Sequence, residues 1–215
     1  MDFNRYKTWF FDCDGVLLAS NQLKSEIYYQ IMLPYGPEAA DTMLAYHKRT
    51  NGVSRFNKFN YFFKSILRRQ PTSSELEAIL NKFSRMVTQK MIECPLMPGI
   101  LEFMDTIQGK GKVIMISGGD QKELQAVFKA RGLAHRFDLI FGSPESKEDI
   151  LKNLLKTKSF ERPAVYFGDG EYDYKIAKQF GLDFYFLTKY TEFSGWEKFF
   201  HTKSKVTIMN TFEEL

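Results

Sequence analysis

The chain has 215 residues, of which 44% are apolar and 26% are charged, and its formal net charge is +4. These proportions are ordinary for a globular protein and exclude a disordered or fibrous chain. The length suits either one large domain or a core domain with a smaller insert. The only two cysteines, Cys13 and Cys94, cannot form a disulfide framework, so we expect a reducing compartment, the cytoplasm.

Neither secretion nor membrane insertion is expected from the sequence. Residues 1–7 are polar and precede no leader-like segment, and no apolar stretch reaches the length of a membrane span. The mild positive charge favours an anionic partner. Residues 58–69 mix basic and aromatic side chains, as some RNA-binding segments do. Because the aromatic residues recur at helical spacing, we predict that they are core, that the basic residues form a solvated face, and that no nucleic acid binds.

Short apolar runs alternate with helical patterns along most of the chain. Strands are predicted at 8–11, 112–116, 138–141, 164–167, 183–187 and 206–209. Helices are predicted at 100–107, 121–130 and 147–155. This alternation predicts an α/β fold with a Rossmann-like parallel sheet, in which ligands bind beyond the carboxyl ends of the strands.

Residues 18–94 break the alternation, because they contain several helical stretches and no convincing buried strand. We therefore predict a helical cap domain at 18–94, inserted into a catalytic core formed by 1–17 and 95–215. The clearest cap helix is predicted to begin near Ser74, with Glu77 completing a capping box.

Two carboxylates, Asp12 and Asp14, follow the first predicted strand directly. Two anions held so close together are costly unless a cation neutralises them. Oxygen ligands favour Mg²⁺, which commonly binds one or two carboxylates and a substrate phosphate. A calcium loop is excluded, because its fifth and twelfth positions would be Val16 and Leu23. A simple turn remains an alternative for this pair taken alone.

An aspartate can also attack phosphorus and divide hydrolysis into two easier steps, which makes Asp12 a candidate nucleophile. A neighbouring carboxyl group can then serve as general acid and base, and Asp14 is placed for that role.

Three further strand ends carry polar residues. Ser117 and the backbone of Gly118 are candidates for binding a phosphate oxygen. Lys147 is a candidate for neutralising a transferring phosphoryl group. Asp169 is predicted to complete the metal shell, with Asp173 supporting it. Each signal alone is weak, because loops, solvated lysines and helix caps use the same residues.

Other phosphate-binding motifs are absent. The sequence contains neither a P-loop nor the glycine spacing of a dinucleotide site, which argues against kinase and dehydrogenase functions. The histidines, His47, His135 and His201, lack metal-ligand spacing. We interpret them as structural or surface groups, with His47 as a candidate contact of the insert.

Taken in order, Asp12-x-Asp14-Gly-Val, Ser117, Lys147 and Gly168-Asp169 with Asp173 resemble the four motifs of the haloacid dehalogenase superfamily. The resemblance implies Mg²⁺ held by Asp12, Asp169 and the backbone carbonyl of Asp14, and an aspartyl-phosphate on Asp12. Ser117 and Lys147 would hold the phosphoryl oxygens. The position of the insert is similar to that in the helical-cap subfamily containing phosphoglycolate phosphatase and β-phosphoglucomutase.

Within the insert, residues 51–55, Asn-Gly-Val-Ser-Arg, are similar to the specificity loop of that subfamily. The resemblance implies that Arg55 binds the distal anionic part of the substrate and that Lys24 faces the site. Two positions depart from the family pattern. Ala19 replaces an acidic residue before Ser20, and Glu148 follows Lys147 where relatives usually have proline.

The motifs indicate a Mg²⁺-dependent phosphatase acting on a small phosphorylated metabolite. A dehalogenase is disfavoured by Asp14. A phosphomutase would share every core residue and differ in whether the cap protects the aspartyl-phosphate from water, so this alternative stays open. A protein that binds phosphorylated ligands without catalysis is a further alternative. The sequence does not indicate whether the protein is a monomer or an oligomer.

Overall fold

The computed structural model describes residues 3–50 and 52–215. Its centre is a sheet of six parallel strands: β1 (Thr8–Phe11), β2 (Lys112–Asp120), β3 (Leu139–Ser143), β4 (Ala164–Gly168), β5 (Asp183–Leu187) and β6 (Val206–Met209). Their order across the sheet is β3-β2-β1-β4-β5-β6. The predicted α/β class with a parallel sheet is confirmed.

Of the five helices described between β1 and β2, the first four form the cap. They are α1 (Asn21–Met32), α2 (Pro37–Arg49), α3 (Arg55–Tyr61) and α4 (Ser73–Glu93), and a π-helical turn, Phe62–Ile66, follows α3. Phe59, Phe62 and Phe63 are fully buried among them, as their helical spacing predicts. The prediction of a solvated basic face fails at Lys58, which is also buried.

The longest cap helix begins slightly before its predicted start. Thr72, rather than Ser74, is the N-cap residue, and its side-chain oxygen accepts a hydrogen bond from the backbone N–H of Glu75. The predicted capping box with Glu77 is therefore wrong by two residues. A run of Thr and Ser offers several acceptable caps, and the sequence alone does not select one.

Five helices belong to the core: α5 (Ile100–Ile107), α6 (Gln121–Ala130), α7 (Lys147–Lys156), α8 (Glu171–Gln179) and α9 (Trp196–Phe200). Side chains of β1 alternate between the two faces of the sheet. Trp9 and Phe11 pack in one apolar cluster, and Phe10 packs in the other. Both faces are thus covered, which explains why β1 is buried at every position, Thr8 included. Among the described residues, no helix combines the length and apolarity needed to span a bilayer.

The two chain crossings between core and cap run side by side. The backbone N–H of Ala19 donates to the carbonyl of Pro95 at 2.9 Å, and that of Met97 donates to the carbonyl of Leu17 at 3.0 Å. Arg131, just after α6, donates to carbonyl groups at the end of α4, including that of Cys94 at 2.8 Å. The cap is therefore connected to the core beside the carboxyl end of β1.

Candidate active site

The carboxyl ends of β1 and β4 meet at the centre of the sheet, because these strands are neighbours. Asp12 follows β1 and Asp169 follows β4, and both are buried. The backbone N–H of Asp12 donates to the carbonyl of Phe167 at 2.9 Å, which extends the pairing of the two strands to the first acidic residue. The pairing of β1 with β4 thus fixes the backbone positions of Asp12 and Asp169 relative to each other.

Three buried carboxylates form a cluster at this point. Asp12, Asp169 and Asp173 each place one oxygen within 4.8 Å of the other two. Lys147, at the start of α7, extends its ammonium group among them. Its Nζ lies 2.7 Å from Oδ1 of Asp12 and 2.6 Å from Oδ1 of Asp173. One lysine therefore faces three acidic groups in a space closed to solvent.

Burial and crowding raise the pKa of two of these carboxyl groups, those of Asp12 and Asp169. Burial raises the pKa of Asp12 to about 7, although Lys147 opposes this and Asp173 repels the charge. Burial also raises the pKa of Asp169 well above its ordinary value, and Asp12 and Asp173 add to the shift. Burial opposes the charge on Lys147, but Asp12 and Asp173 outweigh it and raise the pKa of the ammonium group.

The cluster has the chemistry of a divalent-cation site. Its ligands are oxygen atoms only, which suits Mg²⁺ better than a softer metal. A cation beside Asp12 and Asp169 would favour their ionised forms, which burial and mutual repulsion now disfavour. The residues present therefore fit the metal that the sequence predicts.

Asp14 turns its carboxylate away from this cluster and toward the cap. Lys24 on α1 donates to its Oδ2 at 2.7 Å, and Ser20 donates to its Oδ1 at 2.5 Å. Burial opposes ionisation, but Lys24 and Ser20 outweigh it and lower the pKa of Asp14. Asp14 is thus held as a carboxylate, one residue beyond Cys13 and within the same loop as Asp12.

The residues from Ser117 to Asp120, which the sequence predicts as a loop, belong to β2. The strand continues through Ser117 to Asp120, with a shift in its pairing to β3 between Ile116 and Asp120. Ser117 is fully buried, and its Oγ accepts a hydrogen bond from the backbone N–H of Gly119 at 3.0 Å. Gly118 lies against the backbone of Gly52 in the cap, where a Cβ atom would come within 2.3 Å of a carbonyl oxygen.

Arg55 begins α3 and makes the main charged contact between cap and core. It forms a buried ion pair with Glu123 on α6, in which both terminal nitrogens donate to the carboxylate. Ser84 on α4 donates to the same carboxylate at 3.0 Å. The guanidinium also lies over the Phe83 ring. The charge of Arg55 is therefore already matched within the protein.

A small cavity lies between the cap and the strand ends. Its volume is about 30 Å³, which holds roughly one water molecule. Its walls include Asp14, Asn21, Lys24, His47, Arg55, Lys58 and Gly118. Lys24, Arg55 and Gly118, the three residues that the sequence analysis assigns to substrate binding, thus line one small cavity.

Comparisons with known proteins agree with this geometry. The sequence profile of the haloacid dehalogenase-like hydrolases matches residues 6–181. The chain belongs to this family. No curated protein matches the sequence.

Several solved structures share the fold of this haloacid dehalogenase-like hydrolase. A protein from Haemophilus somnus described as a predicted phosphoglycolate phosphatase aligns with a TM-score of 0.76 at 16% identity, covering 99% of this chain and 97% of its own. YfnB from Bacillus subtilis, a HAD-type hydrolase solved with magnesium, aligns with a TM-score of 0.69 at 15% identity, covering 98% and 96%. CbbY from Rhodobacter sphaeroides, solved with phosphate, aligns with a TM-score of 0.68 at 20% identity, covering 98% and 96%.

Sequence reasoning missed three residues of the haloacid dehalogenase-like site, Asn21, Glu123 and Lys58, and named a fourth, His47, only as a candidate contact of the insert. Asn21 donates to Oδ2 of Asp169 at 2.6 Å and to the carbonyl of Tyr190 at 2.9 Å. Glu123 pairs with Arg55. Lys58 and His47 lie together in the cavity wall. The spacing of Lys58 is a sequence signal that could have found it. It lies three residues after Arg55, so the two side chains share one face of α3.

Asn51, the first residue of the predicted specificity loop, lies outside the described residues. The remaining loop residues, Gly52 to Arg55, border the cavity from the cap side except for Ser54, which caps α3. The loop therefore reaches the site, while its arginine is directed to Glu123.

Proposed function

We propose that this hydrolase is a Mg²⁺-dependent phosphatase that acts on a small phosphorylated metabolite through an aspartyl-phosphate on Asp12. The observation that carries the proposal is the buried cluster of Asp12, Asp169 and Asp173 around the ammonium group of Lys147. Such a cluster offers a nucleophile, a cation site and a positive charge within a few ångströms of one another.

In the first step, a carboxylate oxygen of Asp12 attacks phosphorus, and the bond between phosphorus and the leaving oxygen breaks. The phosphoryl group is then an acyl phosphate on Asp12. Lys147 Nζ lies 2.7 Å from Asp12, which suits it to balance charge on the transferring oxygens. Ser117 and the backbone N–H of Gly118 would donate to the same oxygens, since both lie at the neighbouring strand end.

Mg²⁺ would be held by Asp12, Asp169 and the backbone carbonyl of Asp14, and its charge would balance that of the phosphoryl oxygens. Asp173 would support the metal ligands without binding the metal itself. Its carboxylate already accepts hydrogen bonds from Lys147 at 2.6 Å and from the backbone N–H of Gly170 at 3.2 Å. Asn21 fixes the other side of the shell through its contact with Asp169.

Asp14 would transfer protons in both halves of the reaction. As an acid it protonates the leaving oxygen, and as a base it removes a proton from the water that attacks the acyl phosphate. Its contact with Lys24 favours the carboxylate form and therefore the second role. The first role requires Asp14 to take up a proton, which becomes easier when the contact with Lys24 lengthens.

The names of the structural neighbours support the substrate class. The Haemophilus somnus protein is described as a predicted phosphoglycolate phosphatase, and the other two were solved with magnesium or phosphate. We propose residues 18–94 as the cap that covers the reacting groups. We also propose a cytoplasmic location, with which the two buried free thiols, Cys13 and Cys94, agree.

The test is a panel of phosphorylated metabolites incubated with the purified protein, with phosphate release measured in Mg²⁺ and in excess chelator. We expect release from at least one member in Mg²⁺ and none in chelator. Asp41→Asn, an exposed substitution on α2, is the matched control and should behave as wild type. Equal release in chelator, or no release from any member, would contradict the proposal.

A further inference from the structure

Lys58 and His47 form a buried pair in the cap wall of the cavity. Lys58 lies on α3 and is 2% exposed, and His47 lies on α2 and is 6% exposed. The Nζ atom of Lys58 is 2.7 Å from Nδ1 of His47 and 3.4 Å from its carbonyl oxygen. Both residues line the cavity that also contains Lys24 and Gly118.

Lys58 differs from the other buried cations of the site in having no acidic partner. Lys147 pairs with Asp12 and Asp173, Lys24 pairs with Asp14, and Arg55 pairs with Glu123; no carboxylate of the described residues lies within ion-pair distance of Lys58. Burying an unpaired ammonium group is costly, so its retention beside a ligand cavity calls for an anion.

The surroundings of Lys58 increase this cost. Burial and the nearby charge of Lys24 lower its pKa to about 7, against the opposing effects of Asp14 and Glu192. Burial and Lys58 also lower the pKa of His47 well below its ordinary value, so that His47 is neutral. The charged and titratable groups around the pair are Lys24 and Tyr28 on α1, Lys48 on α2, Arg55 on α3, and Asp14 and Glu192 in core loops.

A neutral His47 leaves part of Lys58 available. An ammonium group has three N–H donors, and the nitrogen and carbonyl of His47 accept at most two of them. The remaining donor belongs to a side chain that borders the cavity. Arg55, by contrast, directs its terminal nitrogens to Glu123 and Ser84.

We propose that Lys58, positioned by His47, binds a second anionic group of the substrate, a carboxylate or a second phosphate, remote from the phosphoryl group that is transferred. This inference rests on the proposed phosphatase function. It assigns to Lys58 the role that the family resemblance implies for Arg55. Arg55 then holds the cap against α6, and Lys58 selects the substrate.

The anion would couple substrate choice to cap closure. Because the cavity holds roughly one water molecule when the cap is shut, the substrate enters an open form. An anion that pairs with Lys58 on closing removes the penalty of the buried charge, and this binding energy orients the reacting phosphoryl group. A substrate without the second anion would leave that penalty in place.

The test uses matched esters: alkyl phosphates of two to four carbons that carry a terminal carboxylate, the corresponding carboxamides, and the corresponding bisphosphates. We expect wild type to prefer one anionic series over the amides. Lys58→Met should lower kcat/KM for that series by about 10–100-fold, the loss expected for a charge-assisted hydrogen bond, and leave the amides little changed. The carboxylate and bisphosphate arms identify which anion is recognised.

Lys64→Met, on the exposed side of the turn after α3, is the matched control and should retain the preference. Lys58→Gln provides a second variant should the methionine variant fold poorly. Equal losses on anionic and amide esters, or no anionic preference in wild type, would overturn the proposal while phosphatase activity itself remains.

A binding measurement separates this proposal from the phosphatase assignment. Calorimetric titration of Asp12→Asn protein with the same esters needs no turnover, and it is repeated in Asp12→Asn/Lys58→Met protein. Tighter binding of the anionic esters, lost with Lys58, supports the proposal even if no ester is hydrolysed. Equal affinities in the two proteins would overturn it.

Discussion

Arg55 on α3 and Glu123 on α6 form a buried, two-pronged ion pair that joins the cap to the core. Both side chains are at most 5% exposed. Ser84 on α4 donates to the same carboxylate, so three hydrogen bonds from the cap converge on Glu123. Glu123 is therefore one of the acidic core residues that hold the cap, beside Asp14, which pairs with Lys24.

Glu123→Gln should destabilise the closed protein, because it leaves the Arg55 charge buried without its partner. Breaking such a pair typically costs about 3–5 kcal/mol, so we expect Tm to fall by at least about 6 °C in a chain of this size. KM should rise for every substrate. Differential scanning calorimetry and steady-state kinetics measure both effects. Glu77→Gln, exposed on α4, is the control, and an unchanged Tm in Glu123→Gln would refute this role.

Lys24→Met should move the acidic limb of the pH–rate profile to higher pH. Lys24 helps to hold the pKa of Asp14 below its ordinary value against the opposing effect of burial. Without it, Asp14 stays protonated to higher pH and serves as a base only there. The profile of kcat between acid and neutral pH measures the shift. A limb in the same place as in wild type would show that Asp14 does not control it.

Much of this architecture follows from sequence patterns. The apolar runs before Asp12 and Asp169 are buried on both faces of a parallel sheet, and such runs are recognisable without a structure. Parallel strands then bring their carboxyl ends to one edge, which predicts that Asp12, Ser117 and Asp169 lie together. The strand that begins at Lys112 extends to Asp120, whereas the sequence predicts that it ends at residue 116. The small residues Ser117-Gly118-Gly119 are typical of a loop, which explains the shorter prediction.

The cap side of the site was less predictable. Helical spacing shows that Lys58 and Phe59 share a helix, but it does not show which face the neighbouring helices cover. Lysines are rarely buried, so composition favours a solvated Lys58. The pairing of Arg55 with Glu123 joins residues 68 positions apart, and no local pattern encodes such a contact. Both features depend on how the cap sits on α6.

Mg²⁺ should raise Tm more at about pH 8 than at about pH 5.5. Burial raises the pKa of Asp12 to about 7 and that of Asp169 well above its ordinary value, so protons occupy these groups in acid and compete with the metal. Without metal, the free energy of unfolding changes with pH in the opposite direction. The protonated Asp12 stabilises the fold in acid, and this contribution is lost as the pH rises through its raised pKa of about 7. Thermal melts with and without Mg²⁺ provide the measurement, and Asp169→Ala should abolish the metal-induced increase.

Lys58→Met should make the free protein more stable at neutral pH. The pKa of Lys58 is lowered to about 7 in the folded state, whereas a lysine in the unfolded chain has a pKa near about 10.4. Between these two pH values the unfolded chain binds more protons than the folded protein, so the stability of wild type rises with pH. The difference in Tm between Lys58→Met and wild type should therefore shrink as the pH rises across this range. We expect Tm to increase by at least about 3 °C at pH 7. A Tm below that of wild type would contradict an unpaired Lys58.

The central claim is that Asp12 becomes phosphorylated during turnover. Borohydride reduces an acyl phosphate on aspartate to homoserine, and mass spectrometry of the peptide containing Asp12 detects that conversion. With a turned-over substrate and Mg²⁺, we expect homoserine at position 12 in wild type. Asp12→Asn should show no conversion and no phosphate release while its circular dichroism stays that of wild type. Unreduced Asp12 in wild type under turnover, or wild-type phosphate release by Asp12→Asn, would contradict the mechanism.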